Sequence, residues 1–167
     1  MEEGGIFLEQ YSGQSLKELI ELQSTHRIDS LVLAIESALD SRKEADESMT
    51  EAELSILAVE AFEREVGNGG FIQFFINSSV EYTPILVDAL KAISCHKLAN
   101  IAQQSIDALG VNPSDIDAVE DKANSEDDAL EEILAELDDA YYETDEAPAY
   151  ALFDYIKHHR DQIRLTA

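Results

Sequence analysis

Apolar residues recur at helical spacing along almost the whole chain. Three segments show this most clearly, with apolar stripes at Leu31, Val32, Ile35 and Leu39, at Leu54, Leu57, Ala58, Ala61 and Phe62, and at Leu130, Ile133, Leu134, Leu137 and Tyr141. The two-residue alternation typical of strands is not visible, and there is no internal repeat. The pattern predicts an all-α protein, a single compact irregular bundle of about eight helices that forms one domain over residues 1–167.

Capping and turn residues predict where these helices begin and end. The expected N-caps are Asp29, Thr50, Thr83 and Ser125. Thr50 and Glu53 together match the capping-box pattern, and Pro148 is expected to open the last helix. Residues 42–48 are predicted to be a charged connector. Residues 67–70 and Gly110 are expected to end helices, because Gly and Asn tolerate positive φ.

The charge of the chain adds a functional constraint. There are 36 Asp+Glu against 11 Lys+Arg in 167 residues, a formal net charge of -25, yet 45% of the residues are hydrophobic. Disordered acidic chains combine high charge with few apolar residues, whereas this chain has enough of them for a core. A folded body with this charge repels itself, which suggests a positively charged partner. Direct binding to nucleic acid or to an anionic membrane is not expected, because both are polyanions.

The carboxylates are concentrated in two clusters. Residues 115–146 contain fifteen Asp and Glu and a single basic residue, Lys122. If that stretch were wholly helical it would span roughly 48 Å, or about one charge per 3 Å, close to the one charge per about 3.4 Å of a DNA strand. The second cluster consists of Asp40, Glu44, Asp46, Glu47, Glu51 and Glu53. A rigid body with such spacing competes with DNA for a basic surface, although a plain acidic surface for solubility and halophilic adaptation are alternatives.

Other chemistry finds little support in the sequence. Asp115 and Asp117 begin like an EF-hand loop, but Val119 and Glu120 stand where the loop needs an oxygen ligand and a glycine. The pair at residues 158–159 lacks further spaced Cys or His for a metal site. Adjacent residues of a helix do not share a face, which argues against a nucleophile–base pair at residues 95–96. We therefore expect no catalytic residues, no metal and no cofactor.

Two further features indicate the compartment. Cys95 is the only cysteine, so no internal disulfide can form. The first five residues lack the basic region of a signal peptide, and no long uncharged apolar run is present. Both features favour a cytoplasmic protein.

One short motif resembles a known family. Residues 68–77 follow the pattern N-G-G-F-x-Q-[FY]-[FY]-x-N at every fixed position. This pattern resembles the signature of a bacterial family of small helical domains, long described as of unknown function. The Leu137-Asp138-x-x-Tyr141 element and the helical C-terminus are also similar, so that the resemblance covers roughly residues 25–163. We interpret Asn68, Gly69, Gly70, Phe71, Gln73 and Asn77 as structural residues of the turn and core.

The strongly acidic chain also resembles the DNA mimics of that family. The resemblance implies binding to the DNA-binding face of a helix-turn-helix repressor or another basic DNA-binding protein, displacement of operator DNA and relief of repression. We expect a monomer, and the alternative is an acidic adaptor for a basic partner that does not bind nucleic acid. The carboxylates expected to contact the partner are Asp46, Glu47, Glu51, Asp127, Asp128, Glu131, Glu132, Asp138 and Asp139.

Overall fold

The computed structural model describes residues 4–166, so most of the N-terminal stretch compared with a signal peptide lies outside it. Eight α-helices occur in this part of the chain: α1 (Leu16–Glu21), α2 (Ile28–Glu44), α3 (Glu51–Ile76), α4 (Thr83–Ala92), α5 (His96–Leu109), α6 (Ile116–Ala123), α7 (Asp128–Glu143) and α8 (Pro148–His158). Short 3-10 helices lie at Leu22–Ser24, Ser78–Tyr82 and Arg160–Gln162. The prediction of an all-α protein with about eight helices is confirmed.

The described residues contain no β-strand, and only an isolated parallel bridge joins Ile6 to His26. None of the helices over residues 4–166 is long and apolar enough to cross a membrane.

The chain divides into two compact units. Unit 1 comprises Met1–Leu57 and Ala147–Ala167, and unit 2 comprises Ala58–Glu146. In unit 1, α2 packs against α8, and in unit 2, α5 packs against α4 and α7. The prediction of one domain over residues 1–167 stays a prediction.

Local signals located several helix ends correctly. The Thr50 N–H donates to Oε2 of Glu53 (2.9 Å), and the Glu53 N–H donates to Oγ1 of Thr50 (3.1 Å), so the predicted capping box is confirmed. Pro148 opens α8 as expected. Gly110 follows the end of α5 with a φ of 66°, a conformation that glycine adopts without steric cost.

Two predicted N-caps are wrong because a neighbouring residue takes the position. Arg27, not Asp29, is the N-cap of α2. Asp29 lies in the first turn instead, where its negative charge suits the helix dipole and its carboxylate accepts the Arg27 guanidinium. Asp127, not Ser125, caps α7 and accepts the Leu130 N–H at 3.1 Å. Asp and Ser are equally good N-caps in general, so the sequence alone does not choose between positions two residues apart.

The N-cap predicted at Thr83 is also displaced by one residue. The 3-10 helix Ser78–Tyr82 runs directly into α4, so Tyr82 precedes the first helical residue. The Thr83 hydroxyl donates to the Val80 carbonyl at 2.7 Å, which satisfies a group of the preceding turn rather than an N–H of α4.

The charged connector predicted at residues 42–48 is confirmed for residues 45–48, which are non-helical, and wrong for residues 42–44, because α2 continues to Glu44. Arg42 lies within the helix and is buried at 4% exposure. Its guanidinium donates to carboxylate oxygens of Glu47 and Glu53, both at 2.7 Å. It also donates to the carbonyls of Ser48 at 3.0 Å and Arg164 at 2.6 Å. A charged side chain therefore organises the interior of unit 1.

Glu53 is the buried partner of this guanidinium, at 1% exposure. Burial raises the pKa of Glu53, but hydrogen bonds from the Arg164 and Thr50 N–H groups and from Arg42 outweigh it, so the pKa lies below its usual value. The carboxylate is held in its charged form.

Replacing Arg42 should therefore destabilise the fold strongly. Arg42→Met leaves the charge of Glu53 buried without its cation, and such losses cost about 3–5 kcal/mol. Urea denaturation followed by circular dichroism measures this change. Lys17→Met is the matched control, because it removes one positive charge from an exposed side chain of unit 1 and should change stability by less than about 0.5 kcal/mol. Equal effects of the two substitutions would contradict the assigned role of Arg42.

Candidate protein-interaction surface

The sequence motif at residues 68–77 forms a break in α3. The helix is interrupted at Gly69 (φ -148°, ψ 16°) and Gly70 (φ 76°, ψ -176°) and resumes through Ile76. The prediction that residues 67–70 end a helix is thus correct for the first segment, while the apolar residues that follow form a second helical segment. The conformation of Gly70 is essentially restricted to glycine.

Hydrogen bonds to carboxylates hold the two segments around the break. Oδ1 of Asp138, on α7, accepts the Phe71 N–H at 2.8 Å. Oε2 of Glu65 accepts both the Gln73 side-chain amide (2.6 Å) and that of Asn77 (2.9 Å). Glu65 precedes the break and its two donors follow it, so the motif amides tie one segment to the other.

The aromatic residues of the motif lie inside unit 2. Phe71, Phe74 and Phe75 are fully buried, and the ring of Phe62 contacts the rings of Phe71, Phe74 and Tyr141 at centroid distances of 5.9, 6.4 and 5.5 Å. Asn68 is exposed. The motif therefore builds the core and the break, and it leaves the surface chemistry to other residues.

The fifteen carboxylates of residues 115–146 divide into two groups. Five are used internally: Asp115, Asp127, Asp138, Asp145 and Glu146. The remaining ten are Asp117, Glu120, Asp121, Glu126, Asp128, Glu131, Glu132, Glu136, Asp139 and Glu143, and all except the half-buried Glu120 are exposed.

The internal carboxylates satisfy helix ends and the few cations. Glu146 accepts the N–H groups of Lys97 (2.6 Å) and Leu98 (3.0 Å) in the first turn of α5, where the helix dipole favours an anion. The Lys122 ammonium, 2.7 Å from Asp127, lowers the pKa of that carboxyl. The ammonium of Lys97, 2.6 Å from Asp145, does the same there.

The exposed carboxylates of α7 form one stripe. At 3.6 residues per turn, five of them fall within roughly 80° of arc around the helix and along roughly 22 Å of its axis. We call Asp128, Glu132, Glu136, Asp139 and Glu143 the α7 stripe. Leu130, Leu134 and Leu137 are buried on the opposite side of the helix. The predicted contact residue Glu131 is exposed and lies roughly 60° of arc outside the stripe.

The charge spacing of the stripe is wider than the sequence estimate. One carboxylate per about 5–6 Å of axis follows from the helical rise, compared with one phosphate per about 3.4 Å on a DNA strand. The earlier figure of about one per 3 Å counted the internal carboxylates and ignored the interruption between α6 and α7. A single helical face thus approaches the charge density of one strand without reaching it.

The other predicted contact residues have different environments. Asp46 and Glu51 of unit 1 are exposed, whereas Glu47 is half-buried and paired with Arg42. Within unit 2, Asp127 and Asp138 are engaged internally, as described above. The predicted contact residues did not include Glu136 and Glu143. Their four-residue spacing from Glu132 and Asp139 indicates that they lie on the same face of the helix.

The net charge is unequal between the units. Unit 2 contains 21 Asp+Glu and 4 Lys+Arg, whereas unit 1 contains 15 and 7. The surplus of negative charge is therefore concentrated in unit 2, which carries the α7 stripe. Long-range attraction of a basic molecule is strongest towards such a surface.

The described part of the chain shows no group of three or more His, Cys, Asp or Glu side chains arranged to hold a metal ion. The segment that begins like an EF-hand loop folds as α6, with Asp115 as its N-cap. Cys95 is buried, which raises the pKa of its thiol to about 11 and keeps it protonated at neutral pH.

These features define an all-α protein with an acidic helical surface, whose polar sequence motif is structural. Comparison with family models identifies the family: the chain belongs to the DMP19-like protein family, whose model matches residues 47–159. The match lies inside the range of residues 25–163 expected from the motif and is shorter at both ends. Comparisons with curated proteins and with solved structures gave no match.

Substituting two glycines near the break should have opposite effects. Gly70→Ala forces a Cβ into a conformation reserved for glycine and against the Asp138 carboxylate, so we expect a loss of about 1–3 kcal/mol or more. Gly67→Ala adds a Cβ in ordinary contact, 3.7 Å from the Tyr141 hydroxyl, within a helical segment, and should stabilise by about 0.5–1 kcal/mol. Chemical denaturation of both variants tests this, and the same sign for both would contradict the assigned geometry.

A half-buried carboxylate, Glu63, lies near the break. Oε1 of Glu63 accepts the Tyr141 hydroxyl at 2.9 Å. Burial raises the pKa of Glu63, and the Tyr141 hydrogen bond offsets only part of this. Burial also raises the pKa of Asp138, against the opposing effect of the Phe71 N–H. Both groups therefore bind protons more readily in the folded state than in the unfolded state.

Stability should consequently rise as the pH falls from 8 towards the raised pKa values of Glu63 and Asp138, because the folded state takes up more protons than the unfolded state there. Reduced self-repulsion acts in the same direction. Glu53 has the opposite sign, and its contribution is lost only below the usual pKa of 4.5. Urea midpoints at pH 8, 6.5 and 5.5 measure the trend.

Two variants separate the titration of Glu63 from the general charge effect. Glu63→Gln should gain less stability on acidification than the unmodified protein, whereas Glu136→Gln, an exposed substitution with the same change in charge, should gain about as much. A wild-type slope in Glu63→Gln would show that Glu63 does not titrate in this way.

Proposed function

We propose that this protein is a DNA mimic that binds the DNA-binding surface of a helix-turn-helix repressor, or of another basic DNA-binding protein, and excludes operator DNA. The observation that carries the proposal is the α7 stripe, a row of exposed carboxylates on one face of a helix packed in unit 2. Membership of the DMP19-like family suggests DNA-mimic function and so supports the proposal. We also propose that the protein acts in the cytoplasm, without a catalytic step.

The mechanism is competition for one basic surface. Lys and Arg side chains that position a repressor on DNA meet phosphates, and the α7 stripe offers them carboxylates at comparable, somewhat wider spacing. Opposite potentials accelerate the encounter, and salt weakens it by screening. Because the protein has a formal net charge of -25, it does not itself bind the DNA.

We choose among the proposed contact residues by their exposure and their internal partners. The exposed Asp128, Glu131, Glu132 and Asp139 stay in the set, together with Glu136 and Glu143. The exposed Asp46 and Glu51 stay as candidates within unit 1. Glu47, Asp127 and Asp138 already have cation or N–H partners inside their own units, so they contribute less to an external contact.

The immobilised protein is incubated with a bacterial lysate, with or without duplex DNA as competitor, and bound proteins are eluted with salt. This experiment identifies a DNA-binding regulator that the protein captures. The purified regulator is then bound to its fluorescent operator duplex and titrated with the acidic protein. We expect the operator to be released, with an apparent affinity that falls as salt rises. Capture of a regulator that still binds its operator in the complex would favour the acidic adaptor instead.

Reversing charges along the stripe should abolish this competition. Asp128→Lys, Glu132→Lys, Glu136→Lys and Asp139→Lys combined should weaken displacement by about a hundredfold, whereas each alone should weaken it less than about fivefold, because exposed charge pairs contribute little individually. Operator displacement, measured by anisotropy, provides the values.

The matched control reverses four exposed carboxylates outside residues 115–146, namely Glu9, Glu21, Asp88 and Asp161. Both variants change the net charge equally, so a difference between them reports the location of the charge. Equal loss in the two would contradict the stripe as the contact surface. Circular dichroism verifies that each variant is folded.

A further inference from the structure

We propose that Asp138 and Tyr142 are positioning residues, which fix α7 on the break in α3 and thereby set the direction in which the α7 stripe faces. The effect on partner binding rests on the proposed function, whereas the effect on the break does not. Asp138 then supports the contact surface and is not part of it.

Both residues hydrogen-bond to backbone groups that the break leaves without helical partners. The Tyr142 hydroxyl donates to the Gly67 carbonyl at 2.7 Å, at the end of the first segment of α3. Oδ1 of Asp138 accepts the Phe71 N–H at 2.8 Å, at the start of the second segment. Interrupted helices leave N–H and C=O groups of this kind without partners. One helix, α7, therefore supplies both the missing acceptor and the missing donor.

The glycines of the motif make this approach possible. A Cβ at Gly70 would collide with the Asp138 carboxylate, so the absence of a side chain leaves the space that the carboxylate occupies. Gly70 also supplies the backbone conformation that exposes the Phe71 N–H to α7. The N-G-G-F element therefore forms the backbone site against which α7 packs.

The exposure of Tyr142 fits the same role. Its side chain is 63% exposed, although its hydroxyl is hydrogen-bonded to the backbone of the break. An aromatic ring at this exposure gains little from burial. The hydrogen bond of its hydroxyl and an edge contact with the ring of Tyr141, at a centroid distance of 5.2 Å, together fix the position of the ring.

The two residues also define the rotation of α7 about its axis. Asp138 and Tyr142 are four residues apart, and neighbours at this spacing lie on one side of a helix. That side adjoins the α7 stripe, since Asp139 and Glu143 each follow them by one residue, or roughly 100° of rotation. Apolar contacts of the leucines are non-directional, whereas two hydrogen bonds to fixed backbone groups hold one rotation.

Amide hydrogen exchange measures how strongly α7 protects the backbone N–H groups at the break, and it requires no binding partner. Asp138→Ala should accelerate exchange of the Phe71 N–H by about tenfold to a hundredfold, the range for a hydrogen bond to a charged group. Asp138→Asn keeps an acceptor oxygen and should restore most of the protection. Asp139→Ala, the neighbouring exposed carboxylate, should leave exchange at Phe71 within about twofold. Acceleration in Asp138→Ala that is no greater than in Asp139→Ala would overturn the proposal.

Tyr142→Phe provides a second test if Asp138→Ala does not fold. This variant removes one hydroxyl and no charge, and the loss of one neutral hydrogen bond should accelerate amide exchange at residues 69–71 by about twofold to tenfold. Unchanged exchange at those amides would overturn the role of Tyr142.

Binding distinguishes positioning from contact. Poly-L-lysine of 20 residues is a flexible cationic probe that senses charge more than geometry. Its affinity should fall, with a weaker salt dependence, in Asp139→Asn and should not change in Tyr142→Phe. An equal loss in Tyr142→Phe would make that residue a contact and overturn the proposal.

A rigid partner should respond to the rotation of α7. For the DNA-binding regulator identified by operator displacement, Tyr142→Phe should lower the affinity about twofold to tenfold with an unchanged salt dependence. An unchanged affinity there, with accelerated exchange at the break, would overturn the part of the proposal that concerns binding. If no regulator is found, the proposed function fails, while the exchange experiment still decides the hold on the break.

Discussion

Every carboxylate of a chain with a net charge of -25 must reach either water or a hydrogen-bond donor, because an unpaired buried charge costs several kcal/mol. The fold meets this constraint throughout residues 4–166, where no buried side-chain nitrogen or oxygen lacks a hydrogen-bond partner. Acidic residues replace other caps at helix N-termini, as Asp127 and Glu146 do, and Glu53 is paired with a buried guanidinium. The exposed acids of α7 are directed to solvent, and five of them share one face.

The break in α3 links the pairing of internal carboxylates to the candidate surface. A continuous helix would leave Asp138 of α7 without the Phe71 N–H as a donor, and would have no free carbonyl for Tyr142. Two glycines interrupt α3 and allow α7 to approach it. The family motif and the acidic helix, which look unrelated in the sequence, therefore meet at one place in unit 2. This meeting gives a structural motif a part in presenting a binding surface.

Much of the fold was predictable because its signals are local. The capping box at Thr50, the proline at the start of α8 and the glycine after α5 act within one turn of the chain. The incorrect N-cap near α7 arose because two good candidates, Ser125 and Asp127, stand two residues apart. Near α2 and α4 the N-caps are Arg27 and Tyr82, which make no side-chain capping hydrogen bond, so no capping signal in the sequence marks those starts. Arg42 was misjudged for another reason. Charged residues are almost never buried unless they are paired, and one of its partners, the Arg164 carbonyl, is 122 residues away.

Helical periodicity, net charge and the N-G-G-F motif belong to the sequence because each depends on composition or on residues a few positions apart. They led to the all-α fold, to the acidic character of the protein and to its family. The division of the carboxylates into internal and exposed groups depended on the folded chain, since Asp138 meets a donor 67 residues away and Glu146 meets donors 48 and 49 residues away. The sequence alone does not distinguish among the fifteen acidic residues in this stretch of 32 residues. Only packing brings some of them to an N–H or an ammonium, and the low dielectric of the interior makes that difference decisive.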